Sequence, residues 1–170
     1  MSEKKQVIYD LRITYSGPFL VEDFYAEVDN WINEKGFEKE HKKKMEHVTK
    51  SGKKIEWVIE AHSKMDDMHH VVIVLRALLD NVREIVLKKD NRKIRINNGN
   101  VLINIDGFVQ SHIHGSFYQV KPVFYFIRAL IDKFIYNFWS FKHHGTVGAE
   151  CHDLFKRIRA FFNVQKYKYE

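Results

Sequence analysis

The 170-residue sequence has one cysteine, Cys151, and two prolines, Pro18 and Pro122. A single cysteine rules out an intramolecular disulfide, so nothing demands an oxidising compartment. No stretch approaches the ~20 apolar residues of a membrane span. The opening MSEKKQVIYDLRITYSG alternates polar with apolar residues and lacks the unbroken apolar core of a signal peptide. A soluble, cytoplasmic protein with no transmembrane segment is therefore expected. Low-complexity tracts and internal repeats are missing as well, which argues against disorder and against a solenoid. No glycine-rich phosphate loop is visible: NNGN and HHGTVG lack the P-loop spacing, and Ser51-Gly52-Lys53-Lys54 offers only a Gly-Lys pair. No grouping of Ser, His and Asp resembles a nucleophilic triad, and no cofactor is expected.

Hydrophobic residues make up 45% of the chain and aromatic residues 14%, enough for a sizeable core in a single domain spanning 1–170. Lys and Arg outnumber Asp and Glu by 28 to 22, a net charge of +6. Such a balance favours polyanionic partners, although it also serves solubility.

Period-two alternation of Val7, Tyr9, Leu11, Ile13 and Tyr15 predicts a first strand with those residues on one face. Pro18 suits the start of a helix over 18–35, in which Leu20, Phe24, Val28, Trp31 and Ile32 form one apolar stripe. Gly36 fits the position just past that helix. Strands follow over 39–49, 55–63, 69–79, 82–89, 94–96 and 101–113. KSGKK, KMDD, Asp80-Asn81, KDNRK and NNGN read as the turns between them. The run VVIVLRALL is apolar on both faces and predicts a central strand. Pro122 opens a long helix whose stripe contains Val123, Phe126, Ile127, Leu130, Phe134, Phe138 and Phe141, and a further helix is expected over 149–162. The prediction is an α+β domain. Its curved antiparallel sheet of about seven strands wraps a long C-terminal helix, with one helix after the first strand and an extra one at the end.

This element order resembles the helix-grip layout of the START-like (SRPBCC) superfamily, in which a curved antiparallel sheet wraps a long C-terminal helix. The resemblance covers most of the chain and rests on element order. It implies an apolar ligand cavity and no catalytic residues. The chain is also similar to small uncharacterised archaeal proteins, which implies no function.

Three sets of residues are candidates for function. The aromatic helix and the sheet point to non-enzymatic binding of an apolar small molecule or a protein partner, through Phe126, Leu130, Phe134 and Phe138 with Trp57 and Ile59. Homo-oligomerisation through the same helix is a variant of this reading. The two basic hairpins, 38–54 and 83–95, each carry a surplus of four positive charges (7 − 3 and 6 − 2). If their turns converge, Lys42, Lys44, Lys53, Lys54, Arg92 and Lys93 would track the phosphates of RNA or DNA. Finally, His112 and His114 lie two apart on a strand and so share a face, where Asp66, Asp67 or His69 could complete a metal site of a His-dependent enzyme. Their register is in phase with the polar Asn104, Asp106 and Gln110, so only a bulge at Gly107 would turn them inward.

Overall fold

A computed structural model describes the backbone of residues 2–67, 69–89, 91–112 and 122–169, and the side chains of 4–67, 69–88, 91–111 and 144–169. The order of elements is β1 (Ser2–Phe19), α1 (Val21–Lys35), β2 (Glu38–Thr49), β3 (Gly52–Lys64), β4 (His69–Lys89), β5 (Arg92–His112) and α2 (Pro122–Tyr169). The strands form one antiparallel sheet in the order β1-β5-β4-β3-β2, and the fold is α+β. The doubly apolar run Val71–Leu75 is buried at the centre of the sheet, as its composition requires.

Among the described residues the sheet has five strands, where the sequence pattern suggested about seven. Two of the expected hairpin turns are instead irregularities inside continuous strands. Asp80 pairs with Asn100 and Arg83 with Asn98, so Asn81 and Val82 bulge out of β4 opposite Gly99. Asn81 takes the left-handed conformation, φ 52°, which asparagine tolerates in a bulge as readily as in a turn. The segments 69–79 and 82–89 thus become one strand, as do 94–96 and 101–112, residue 113 lying outside the described residues.

Edge strand β1 is bulged as well. Register shifts fall between Gln6 and Ile8 and between Ile8 and Leu11, with Asp10 at φ 45°. Ile8 therefore packs on the core while Tyr9, expected on one face with Leu11 and Ile13, is 70% exposed. Asp106 of β5 pins the distortion. Its carboxylate accepts from the Asp10 backbone N–H at 2.9 Å, from Gln6 Nε2 at 3.1 Å and from Arg76 Nη2 at 2.7 Å. Pro18 lies inside β1, one residue before its end, rather than opening the helix, on an edge where its missing N–H costs little.

The helices cover one face of the sheet. Phe24, Val28, Trp31 and Ile32 are the buried stripe of α1, and Gly36 closes it in the left-handed region (φ 70°) that glycine adopts without penalty. The expected break near residue 145 is absent, and α2 runs unbroken through Gly145 and Gly148. A helical glycine costs about 1 kcal/mol relative to alanine. Burial of Val147, Cys151, Leu154, Ile158 and Phe162 against the sheet outweighs that. Among the described residues, no helix is long and apolar enough to cross a membrane.

A polar clasp joins the helices. Trp31 Nε1 donates to Asp153 Oδ2 at 2.9 Å, Lys35 bridges Glu150 and Asp153 at 3.0 and 3.2 Å, and Arg157 pairs with Glu27 and Glu34. The Trp31 hydrogen bond and then Lys35 hold the Asp153 carboxyl below the usual aspartate range, and Arg157 does the same for Glu34. A carboxylate lowered on folding stabilises above its unfolded pKa, and that contribution fades as pH falls through its folded pKa. The stability gap between wild type and Asp153→Asn should therefore be full near pH 6 and close below about pH 4, a range set by ordinary carboxylate pKa values. Denaturant melts at several pH values test this. A gap that stays constant down to pH 2 would show that the charge on Asp153 contributes nothing.

Candidate functional site

The two basic hairpins end on the same side of the sheet. The last pairing of β3 with β4 is Lys53↔Val82, and Arg83 Nε donates to the Ser51 carbonyl, which ties the β2–β3 turn to β4. β1 leaves β5 at Phe19↔Asn97. Beyond these points β4 and β5 continue alone, from Ile85↔Ile96 to Lys89↔Arg92. At about 3.3 Å per residue this is a two-stranded ribbon projecting roughly 15 Å from the sheet. Asn91 turns it, at φ 61°.

The ribbon has two distinct faces. Ile85 opposes Ile96 and Leu87 opposes Ile94 on one face; Ile96 is buried and the other three are half-buried. The other face carries Val86↔Arg95 and Lys88↔Lys93, and the tip pair Lys89↔Arg92 completes the basic end. Two successive cross-strand pairs thus set cation against cation, an arrangement that destabilises a hairpin by itself. Arg95 lies 3.6 Å from Glu84. Among the described residues, no ion pair engages Lys88, Arg92 or Lys93. A shallow open groove lies on the helix-free face at the ribbon's base, lined by Thr14, Ser16, Leu78, Asp80, Asn100 and Leu102.

Of the six basic residues singled out from sequence, Lys53, Lys54, Arg92 and Lys93 lie at this end, with Lys50 in the turn beside them. Lys53 is paired with Glu46 at 2.8 Å. The other two are placed differently. Lys44 is stacked over the Tyr25 ring at 4.6 Å, and Lys42 lies farther along β2, 2.7 Å from Glu40. Lys88 and Arg95, which sequence reasoning had left out of its site, belong to the ribbon; the signal was present in the pairing that KDNRK imposes.

The other candidates are distributed as follows. Trp57 and Ile59 are core residues, 2% and 1% exposed, with Trp57 packed against Phe24 and Tyr25. Phe126, Leu130, Phe134 and Phe138 lie on α2, in the part whose side chains are outside the described residues. Asp66 closes the β3–β4 turn, accepting from the His69 N–H at 2.8 Å and lying 2.9 Å from His69 Nδ1, while Asp67 pairs with Lys64 at 2.8 Å. β5 keeps its phase from Val101 through Val109 with no bulge at Gly107, the irregularity being in β1. The side chain of His112 and the whole of His114 lie outside the described residues. A different trio of metal-ligand type, Glu40, Glu60 and His62, is brought together between β2 and β3. No family model, curated protein or solved structure matches this chain.

Proposed function

We propose that the protein binds nucleic acid without catalysis, and that the projecting β4–β5 ribbon is the element that engages the phosphates. The observation that carries this reading is the pair of like-charged cross-strand neighbours, Lys88↔Lys93 and Lys89↔Arg92, at the end of an arm that, among the described residues, pairs with no further strand. A polyanion bound there offsets the repulsion and releases its counterions. A two-stranded ribbon is also of a size that the major groove of B-form DNA admits. Lys50, Lys53 and Lys54 at the neighbouring turn widen the cationic surface.

Fluorescence anisotropy with a labelled DNA duplex and a structured RNA of similar length tests the proposal. Affinity for at least one should fall with salt, with a log–log slope of about −3 if three to four phosphates are neutralised. The triple variant Lys88→Glu, Arg92→Glu, Lys93→Glu should bind at least about tenfold more weakly, a loss of about 1.4 kcal/mol. Lys156→Glu, Arg159→Glu and Lys166→Glu on α2 change the net charge by the same amount and should leave binding within about threefold. Equal losses in both variants would reduce the effect to bulk charge and sink the ribbon's role. A second reading has the aromatic first half of α2 hold an apolar small molecule or a protein partner; its mark would be a co-purifying ligand in native mass spectrometry.

A further inference from the structure

We propose that Glu40, Glu60 and His62 form a divalent-cation site that takes zinc. Glu60 and His62 are two apart on β3 and so project from one face, and Glu40 is the direct cross-strand partner of Glu60. The donor atoms of all three lie within 4.8 Å of one another. His62 Nε2 is 3.4 Å from Glu60 Oε2 and 3.5 Å from Glu40 Oε2. Zinc bonds of about 2.0–2.1 Å in a tetrahedron set donors about 3.3–3.4 Å apart, so two edges of such a polyhedron are already in place.

Two features of the cluster point the same way. His62 Nε2 is shielded from solvent between two carboxylates, with no well-aligned hydrogen bond to either. Two glutamates directly opposite each other on a sheet repel, and the arrangement calls for a cation between them. Lysines lie close enough to share that role: Lys42 Nζ lies 2.7 Å from Glu40 and 3.6 Å from Glu60, and Lys4 Nζ lies 3.6 Å from Glu60. A mixed carboxylate–imidazole set suits a borderline ion such as zinc better than calcium or magnesium, which prefer oxygen alone. Three protein ligands leave the fourth position to water. The site stands on β2 and β3, apart from the ribbon, and does not depend on nucleic-acid binding.

The test is zinc titration of the full chain, made without a histidine tag and stripped with chelator, by calorimetry and by competition with a chromophoric chelator. One equivalent should bind. His62→Ala and Glu40→Gln should each weaken binding at least about tenfold, with circular dichroism confirming that both variants fold; Glu40 is exposed, so its substitution leaves the core intact. Lys42→Ala should tighten binding by about threefold or more, because Lys42 Nζ competes for the same oxygens. Absence of zinc binding would overturn the proposal. So would an affinity unchanged in His62→Ala or Glu40→Gln, or a Lys42→Ala variant that binds no better than wild type.

Discussion

Replacing Trp57 with alanine is expected to cost about 3–5 kcal/mol of folding stability, the range for removing a large aromatic from a packed core. The Trp57 ring is 2% exposed. It meets Phe24 edge-on at 5.8 Å and Tyr25 at 4.5 Å, and it lies on the same face of β3 as Ile55, Ile59 and Ala61, all buried. Burial also pushes the half-buried Tyr25 hydroxyl up from its ordinary value. In a chain of this size each kcal/mol moves the melting temperature by about 2–4 °C, so the loss should read as roughly 6–20 °C. Trp57→Phe keeps a ring against Phe24 and Tyr25 and should lose less than half as much. Denaturant melts should show the shift in midpoint at nearly constant slope. A Trp57→Ala variant within 1 kcal/mol of wild type would mean that the ring lines open space. That result would favour the apolar-ligand reading of the sheet and α2 over a filled core.

Trp57 also marks how much of the architecture was legible. The alternation of Ile55, Trp57, Ile59 and Ala61, the doubly apolar run at 71–75 and the glycine closing α1 all follow from periods and conformational preferences local to the chain. The count of strands did not. Asn81 and the Asn97–Asn100 stretch accept bulges and turns alike, and only the partner strand decides between them. The helix break expected around Gly145 failed because docking of Val147 and Cys151 on the sheet overrides the local cost of glycine. Charge at the hairpins was readable, but its destination was not. Lys42 belongs by composition with Lys53 and Lys54, whereas the register of β2 on β3 sets it beside Glu40 and Glu60. The Glu60-Ala61-His62 spacing, which the sequence reading passed over, puts two donors on one strand face; the third donor comes only from the cross-strand pairing.

Gly107 is the contact on which that docking turns, and enlarging it should lift α2. A Cβ at Gly107 would stand 2.6 Å from Cys151 Sγ, 2.7 Å from Val147 Cγ1 and 3.3 Å from Ile8 Cβ. Val147 and Cys151 are fully buried, so neither can swing into solvent to make room. Removing a glycine normally stabilises a chain by about 0.4–1 kcal/mol through the unfolded state. Overpacking of about 1–3 kcal/mol outweighs that gain, so Gly107→Ala should be net destabilising and Gly107→Val more so. If the clash with α2 is the cause, the penalty must depend on what it strikes. Cys151→Ala leaves a small void in the wild-type background, but in the Gly107→Ala background it removes the nearest colliding atom. The second substitution should therefore cost less in the double variant, or gain stability, a coupling that a double-mutant cycle reads directly. The thiol gives an independent readout, since Cys151 is the chain's only cysteine. Burial pushes it up to about 12, so in wild type it stays protonated and shielded from a thiol-labelling reagent. In Gly107→Val a displaced α2 should admit the reagent, and labelling under native conditions should accelerate by at least tenfold. Full stability in Gly107→Val, with Cys151 still protected, would show that α2 does not rest on β5 at this glycine.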